Sequence, residues 1–460
     1  MFVDLRSFLH QVEASGNLVH FAEELSTEYE IAAATRYISE HLNKTVIFDK
    51  VKGYDIPIVT NLFGVKQNVA IAFGVTEDKI EDAYMARSMQ PVKPRIVDSA
   101  PVQEVVVTDN IDIRRTIPIL THHEKDAGAY MTSAITIVKD PETGLSRMGL
   151  HRIQVKDKDT LGICLSSSLR MCEFLYKAQQ KGEPLEIAIA SGVDPFTFFA
   201  AVFYALEKGI EKFNIAGGLA QAPLELVKCR SVDVEVPANA EFILEGYILP
   251  GVREKEGPFG ESSGYYLTYN NPVSKIKTIT HRSKPIYHGL TPFGPEDQGL
   301  LELMTRPLLT KVMQDILPDV KVRGLSLLGT GEMCIVQIDN TNTGAALKVI
   351  DFLLQSPLAK IAIVVDSDVD ISQIEEVAWA VATRVRPDRD IVIKSDLPGF
   401  ILDPSLSSLE QGEFGSMVGG KNAKMGIDAT KPLSELDKFE KVGVPPEVEK
   451  KISRLMEVIK

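Results

Sequence analysis

A chain of 460 residues is too long for one hydrophobic core; at roughly 150 residues per domain, two or three are expected. Hydrophobic residues make up 44% and charged residues 25%, and the net charge of −13 comes without a basic stripe, which argues against nucleic-acid binding. The cysteines at 164, 172, 229 and 334 form no CxxC pair, so neither a zinc knuckle nor a disulfide framework is indicated. No apolar run approaches the roughly 18 residues of a membrane span, and the chain reads as soluble and cytoplasmic.

The first element is a short amphipathic helix: Asp4 can cap it, Leu5, Phe8, Leu9 and Val12 share one face, and Gly16 ends it. A second helix is expected from about Glu28 to Leu42, then strands over Thr45–Val51 and Ile56–Leu62. Thr76, Glu77 and Asp78 start another helix. Pro91, Pro94 and Pro101 mark a linker. From 102 to about 300, short strands dominate: Val105–Val107, Ile111–Ile113, Met131–Val138, Leu150–Val155, Leu185–Ala190, Val232–Val236, Phe242–Leu249 and Ile276–His281. Helices are inserted near Leu169–Gln180 and Pro195–Leu206, so the middle reads as an antiparallel barrel with helical insertions. Further on, a strand at Lys360–Asp366, a helix capped by a Ser372/Glu375 box and a strand at Ile391–Ile393 suggest a parallel βαβ unit. A last helix is expected from Pro445 to Lys460.

The segment of greatest chemical interest is Glu256-Gly257-Pro258-Phe259-Gly260-Glu261-Ser262-Ser263-Gly264-Tyr265-Tyr266. No helix runs through Gly-Pro-Phe-Gly, so a loop with a fixed bend is expected to present two carboxylates beside aromatic rings. Such a pair suits acid–base work if one carboxyl stays protonated while the other ionises against a cation; a polar surface turn would use the same residues. Other candidates are weaker. His122, His123, Glu124 and Asp126 alternate faces on an extended segment, so a polar loop fits them better than a metal cluster. His288 reads as a core histidine, Asp366, Asp368 and Asp370 as a strand-end carboxylate edge, and Gly329-Thr330-Gly331 lacks the third glycine of a dinucleotide fingerprint.

Six segments in order resemble the UbiD family of decarboxylases: Asp126–Thr132, Met148–Val155, Val236–Glu241, Leu244–Ile248, Glu256–Tyr266 and Lys424–Thr430. The resemblance implies a multidomain α+β fold: an N-terminal α/β domain (1–101), a flavin-reductase-like split β-barrel (102–305) and a C-terminal α/β domain that mediates homo-oligomerisation (306–460). It implies prenylated FMN, supplied by a partner flavin prenyltransferase, and CO2 loss, reversible in some members, from an aromatic, heteroaromatic or α,β-unsaturated acid. Carried over by position, Arg152 is the catalytic arginine, Glu256 its ion-pair partner and Glu261 the proton donor. Lys424 meets the cofactor phosphate, and Pro223 with Ser166, Ser167 and Ser168 lines the cofactor. The family's Mn2+, which K+ can accompany, is held by Asn, His and Glu; Arg147 and Leu169 stand at the first two places and Glu245 at the third. One carboxylate holds Mn2+ poorly, so Arg147 is expected to replace the metal, pairing with Glu245 and the phosphate. Phe293, Leu300, Leu301 and Met304 offer an apolar lining if their helix keeps its period. The alternatives are a subunit of a multi-subunit carboxylase related to phenylphosphate carboxylase, with or without flavin, and a structural subunit that kept the fold.

Overall fold

The computed structural model describes residues 2–165, 169–203, 210–406 and 418–456, without the side chains of Leu169 and Met456. Its first helix, Leu5–Ala14, starts as expected: the Asp4 carboxylate accepts from the Ser7 N–H at 2.8 Å, and Leu5, Phe8, Leu9 and Val12 are buried. Their face packs into a core shared with Phe63, Phe73, Phe198 and Phe199. Four strands form a sheet in the order Leu18–Phe21, Thr45–Phe48, Ile58–Thr60, Tyr287–Gly289. The last of these comes from far along the chain, so strands cross the expected boundary at 101/102. The Pro-rich linker also holds a strand, Arg95–Val97, which pairs in parallel with Glu225–Lys228.

The central sheet has nine strands, all paired antiparallel. Its path runs Tyr130–Met131, Ile153–Val155, Thr160–Ile163, Tyr266–His281, Phe242–Gly260, Leu185–Ser191, Ile135–Lys139, Ser146–Leu150, with Val105–Val107 beside Tyr266–His281. The two end strands do not pair among the described residues, so the sheet is open where a barrel was expected. The expected strand at Ile111–Ile113 is a helical turn, Ile113–Thr116, because the Asp112 carboxylate captures the Arg115 N–H. The expected strand Leu150–Val155 breaks at His151-Arg152, which frees the Arg152 side chain from the ladder.

The C-terminal sheet runs Lys321–Leu328, Met333–Asp339, Ile361–Asp366, Val418–Ala429, Ile391–Phe400. Its parallel crossover joins Met333–Asp339 to Ile361–Asp366 through the helix Ala345–Gln355. The expected crossover is wrong: Ile391–Phe400 lies at the edge, antiparallel to Val418–Ala429. The capping box is also absent, since Ser372 bonds Asp370 instead. Among the described residues no helix is long and apolar enough to cross a membrane, and none of the four cysteines is in a disulfide.

Candidate active site

The motif around Glu256 is not a loop from its start. Glu256 to Gly260 close the long strand Phe242–Gly260, and only from Glu261 does the chain turn back towards Tyr266–His281. Tyr269 stands opposite Glu256, and the register shifts between Glu256 and Phe259. Gly257 makes that shift possible: its φ is +105°, and a Cβ there would meet the Leu267 carbonyl at 2.6 Å. A second segment pins the bend from outside. Ala127 donates its N–H to the Pro258 carbonyl at 2.8 Å, and the Gly260 N–H donates to Asp126 at 2.8 Å. Asp126 also accepts the His123 N–H at 2.8 Å. Burial works against this carboxylate's charge, but hydrogen bonds from His123 and Gly260 lower its pKa.

Arg152 enters this pocket from the break before Ile153–Val155. Its Nε and Nη2 donate to the two Glu256 oxygens at 3.1 and 2.8 Å, a two-point fork, and its Nη1 meets Glu261. Asn271 Nδ2 donates to Glu256 at 2.9 Å, and the guanidinium lies over the rings of Phe259 and Tyr269, at 5.1 and 5.3 Å. Glu256 is fully buried and Glu261 is 6% exposed. Burial opposes the Arg152 charge, yet Cys164 and Glu256 outweigh it and raise its pKa. Tyr130 closes the pocket, its ring 4.3 Å from Phe259; burial first, then the Glu256 charge, raises its hydroxyl pKa. Asn271 and Tyr130 are not candidates in the sequence, and Asp126 figures there only in the His122–Asp126 group that a polar loop fits better. Asp126 and Tyr130 lay within a quoted motif, whereas only cross-strand register brings Asn271 to Glu256.

The other carried-over residues fare differently. Ser166, Ser167 and Ser168 lie outside the described residues. Pro223 is exposed on the turn before Glu225–Lys228. Lys424 is buried in the C-terminal sheet, where its Nζ donates to the Ser356 carbonyl at 2.5 Å and burial pushes its pKa down to about 8. It forms no ion pair with Glu256 or Glu261. Phe293 borders the Glu261 turn: a Cβ on Gly264 would lie 3.4 Å from its ring. Leu300 belongs to the core rather than to a pocket wall. His288, bonded to Glu296 at 3.1 Å, is a core histidine as expected.

The expected Arg147–Glu245 pair does not form. Glu245 aligns with Ala188, Ile137 and Met148 across the sheet, so Arg147, beside Met148, leaves the opposite face. Three strand spacings, about 14 Å, separate them. Glu245 is fully buried and is held by the N–H groups of Arg230 and Ser231 and by the Ser231 hydroxyl at 2.7–3.0 Å. It therefore fastens a loop and is not available as a metal ligand. No group of three or more His, Cys, Asp or Glu side chains is placed to hold a metal among the described residues. The described residues do not fit the family's divalent ion.

Arg147 instead lies at the open edge of the sheet. Its Nη1 donates to the Ile210 carbonyl at 2.5 Å, and its Nε is buried without a partner among the described residues. Burial first, then Arg170, lowers its pKa, with Glu211 and Glu173 acting the other way. Lys212 follows two residues after Ile210; its Nζ donates to the Ala201 carbonyl at 2.7 Å, and burial, then Arg147, push its pKa down to about 7. His151 is held near 3 by burial, then by Lys212.

Family models of 3-octaprenyl-4-hydroxybenzoate carboxy-lyase match residues 9–87 (N-terminal domain), 95–295 (Rift-related domain) and 298–429 (C-terminal domain). A phenolic acid decarboxylase of Sedimentibacter hydroxybenzoicus is 34% identical over 94% of this chain and 92% of its own length. An anhydromevalonate phosphate decarboxylase of Methanothermobacter thermautotrophicus is 32% identical over 95% and 99%. The UbiD-class enzyme HmfF from Pelotomaculum thermopropionicum, solved with FMN, matches at a TM-score of 0.88 and 38% identity, covering 96% of this chain and 97% of its own. An evolved dimeric form of HmfF, solved with prFMN, matches at 0.84 and 36% over the same shares. Models spanning most of the chain, and relatives above 30% identity along nearly all of it, place this enzyme in the UbiD family of carboxy-lyases, to which the chain belongs.

Proposed function

We propose that this chain decarboxylates an aromatic, heteroaromatic or α,β-unsaturated acid with prenylated FMN, in a reaction that can run in reverse. The observation that carries the reading is the buried Arg152 guanidinium, forked onto Glu256 and touching Glu261. When bound, the modified flavin supplies the electron sink that CO2 loss from an sp2 carbon requires. The rest is work for this chain's own residues. Arg152 offers its Nη1 edge to the substrate carboxylate while Glu256 and Asn271 hold the opposite edge in place. A substrate carboxylate arriving there displaces Glu261 from Arg152. Released from the guanidinium and still largely buried, Glu261 takes up a proton from solvent and delivers it to the substrate carbon once CO2 has left. Arg147, Lys212 and His151 are the described residues that suit the flavin phosphate. FMN and prFMN in the HmfF structures support this cofactor.

The same reading has a prenyltransferase as cofactor supplier, a split-barrel role for the central sheet (102–305), residues 306–460 as the oligomerisation unit after an N-terminal unit of 1–101, and a cytoplasmic homo-oligomer. The multi-subunit carboxylase alternative is not favoured, since two relatives that match are named as decarboxylases. The test is co-expression with a flavin prenyltransferase, followed by an absorbance spectrum and CO2 release from a panel of aromatic, heteroaromatic and α,β-unsaturated acids. A modified-flavin spectrum with turnover of one class is expected; protein that stays colourless and turns over no acid refutes the reading.

A further inference from the structure

Uncompensated cations are rare inside proteins, because an ion moved from water needs a partner of opposite sign. Two such cations meet at the open edge of the central sheet. Among the described residues Arg147, 6% exposed, donates only to a neutral carbonyl, that of Ile210, and its buried Nε donates to nothing. Lys212 likewise spends its ammonium on the Ala201 carbonyl. Next to them His151, 5% exposed, has a buried Nδ1 without a partner. A Cβ on Gly149 would press on that imidazole at 2.7 Å, so the ring is tightly set. The helix Lys212–Ala220 begins at this lysine with no side-chain cap, so its first N–H groups have no side-chain acceptor.

The nearby carboxylates do not cancel this charge. Glu211 is engaged by the Ser146 N–H at 2.9 Å, and neither Glu211 nor Glu173 is in an ion pair with Arg147 among the described residues. A divalent cation at this spot would face repulsion from Arg147, Lys212 and the neighbouring Arg170, on the order of several kcal/mol at about 4 Å for an effective dielectric near 20.

We infer that Arg147, Lys212, His151 and the N-terminus of Lys212–Ala220 form a binding site for a phosphate monoester, held by side-chain cations with no divalent metal. A guanidinium offers two parallel N–H donors and an ammonium a point charge, which together match a tetrahedral dianion. That the phosphate is the flavin's rests on the proposed cofactor; the anion site itself does not.

The test uses the full chain freed of flavin, in phosphate-free buffer containing EDTA. Followed by flavin fluorescence, FMN is expected to bind at least tenfold more tightly than riboflavin, and added Mn2+ leaves that ratio unchanged. Lys212→Met and Arg147→Met are each expected to weaken FMN tenfold or more and to leave riboflavin binding as it was. Both variants should also raise the melting temperature of the ligand-free protein, because each removes a buried charge without a partner; this rise separates a lost site from a lost fold. Inorganic phosphate should compete with FMN. Phosphate that stabilises FMN-loaded protein without displacing flavin supports the cation site and assigns it to a phosphorylated substrate. Phosphate binding that depends on Lys212, in a protein that takes no flavin, defeats the cofactor reading and leaves this site standing. Equal affinity for FMN and riboflavin with no response to phosphate overturns the proposal. So does FMN binding that is lost with EDTA and restored by one Mn2+ per chain.

Discussion

Two arginines five residues apart, both largely buried, meet opposite electrostatic fates. Arg152 is surrounded by answers to its charge: a fork onto Glu256, a contact with Glu261, and two aromatic faces. Among the described residues Arg147 bonds one carbonyl and pairs with no carboxylate, with Arg170 and Lys212 nearby and Glu211 and Glu173 acting only at a distance. The first arrangement has its charge answered by its own side chains, so a substrate proposed to bind there exchanges with a group already in place. The second is incomplete, and a ligand there supplies what the protein withholds. On the proposed reading, the fold keeps a saturated charge where chemistry needs orientation and an unsaturated one where binding needs affinity.

The sharpest way to break this contrast is at Glu261. Glu261→Gln keeps the shape but removes the titratable proton, and turnover should fall about 10²–10⁴-fold with flavin binding intact. Turnover within about threefold of wild type in a steady-state CO2 assay would remove Glu261 from the mechanism.

The next test asks whether Arg152 works by geometry or by charge. A lysine there lacks the planar fork, so Arg152→Lys should lose about 10²-fold or more, and Arg152→Ala should lose more still. A lysine variant at full rate would mean that a point charge suffices.

Stability should separate the two arginines in sign. Glu256→Gln breaks a buried, forked pair and should cost about 3–5 kcal/mol in a denaturant titration. Lys212→Met, by contrast, should stabilise the ligand-free protein. If both changes destabilise it equally, the contrast fails.

The smallest effect is a pH dependence. The folded-state pKa of Lys212 lies near 7, below the ordinary lysine value of 10.5. Between these values the unfolded chain binds more protons than the folded one, so stability attributable to this residue rises with pH. The melting-temperature advantage of Lys212→Met over wild type should therefore shrink from about pH 7 to about pH 10. An advantage that does not change over that window would mean that Lys212 keeps an ordinary lysine pKa in the folded protein and stays charged there.

The sequence made the first site legible and hid the second. Arg152, Glu256 and Glu261 sit in ordered motifs whose Gly and Pro residues restrict the backbone, so their convergence is legible in the sequence. Glu245 was misjudged because alignment alone ignores the two-residue alternation of a sheet, which sends it to the face opposite Arg147. Lys212 carried no signal at all: it is one of 50 basic residues, and only the meeting of its helix with the sheet's edge strand makes it unusual. Local rules worked for the Asp4 cap and for the face of Leu5, Phe8, Leu9 and Val12, where partners lie within a few residues. They failed at Ile391–Phe400, whose place at the sheet edge depends on a strand that begins 18 residues after it ends, at Val418.

The long pair of strands Phe242–Gly260 and Tyr266–His281 also bears on how this protein tolerates change in length. One ladder carries the buried core at Phe242, Ile243 and Leu244 and, further along, Glu256 opposite Tyr269. Pairing lapses between Ile248 and Arg253, around Gly251, where the backbone is exposed. An inserted residue in that gap can be absorbed as slack. The same insertion between Arg253 and Glu256 would rotate Glu256 to the other side of the sheet, away from Arg152. Lineages and engineers alike should find the first position permissive and the second closed, although the two lie within a few residues of each other.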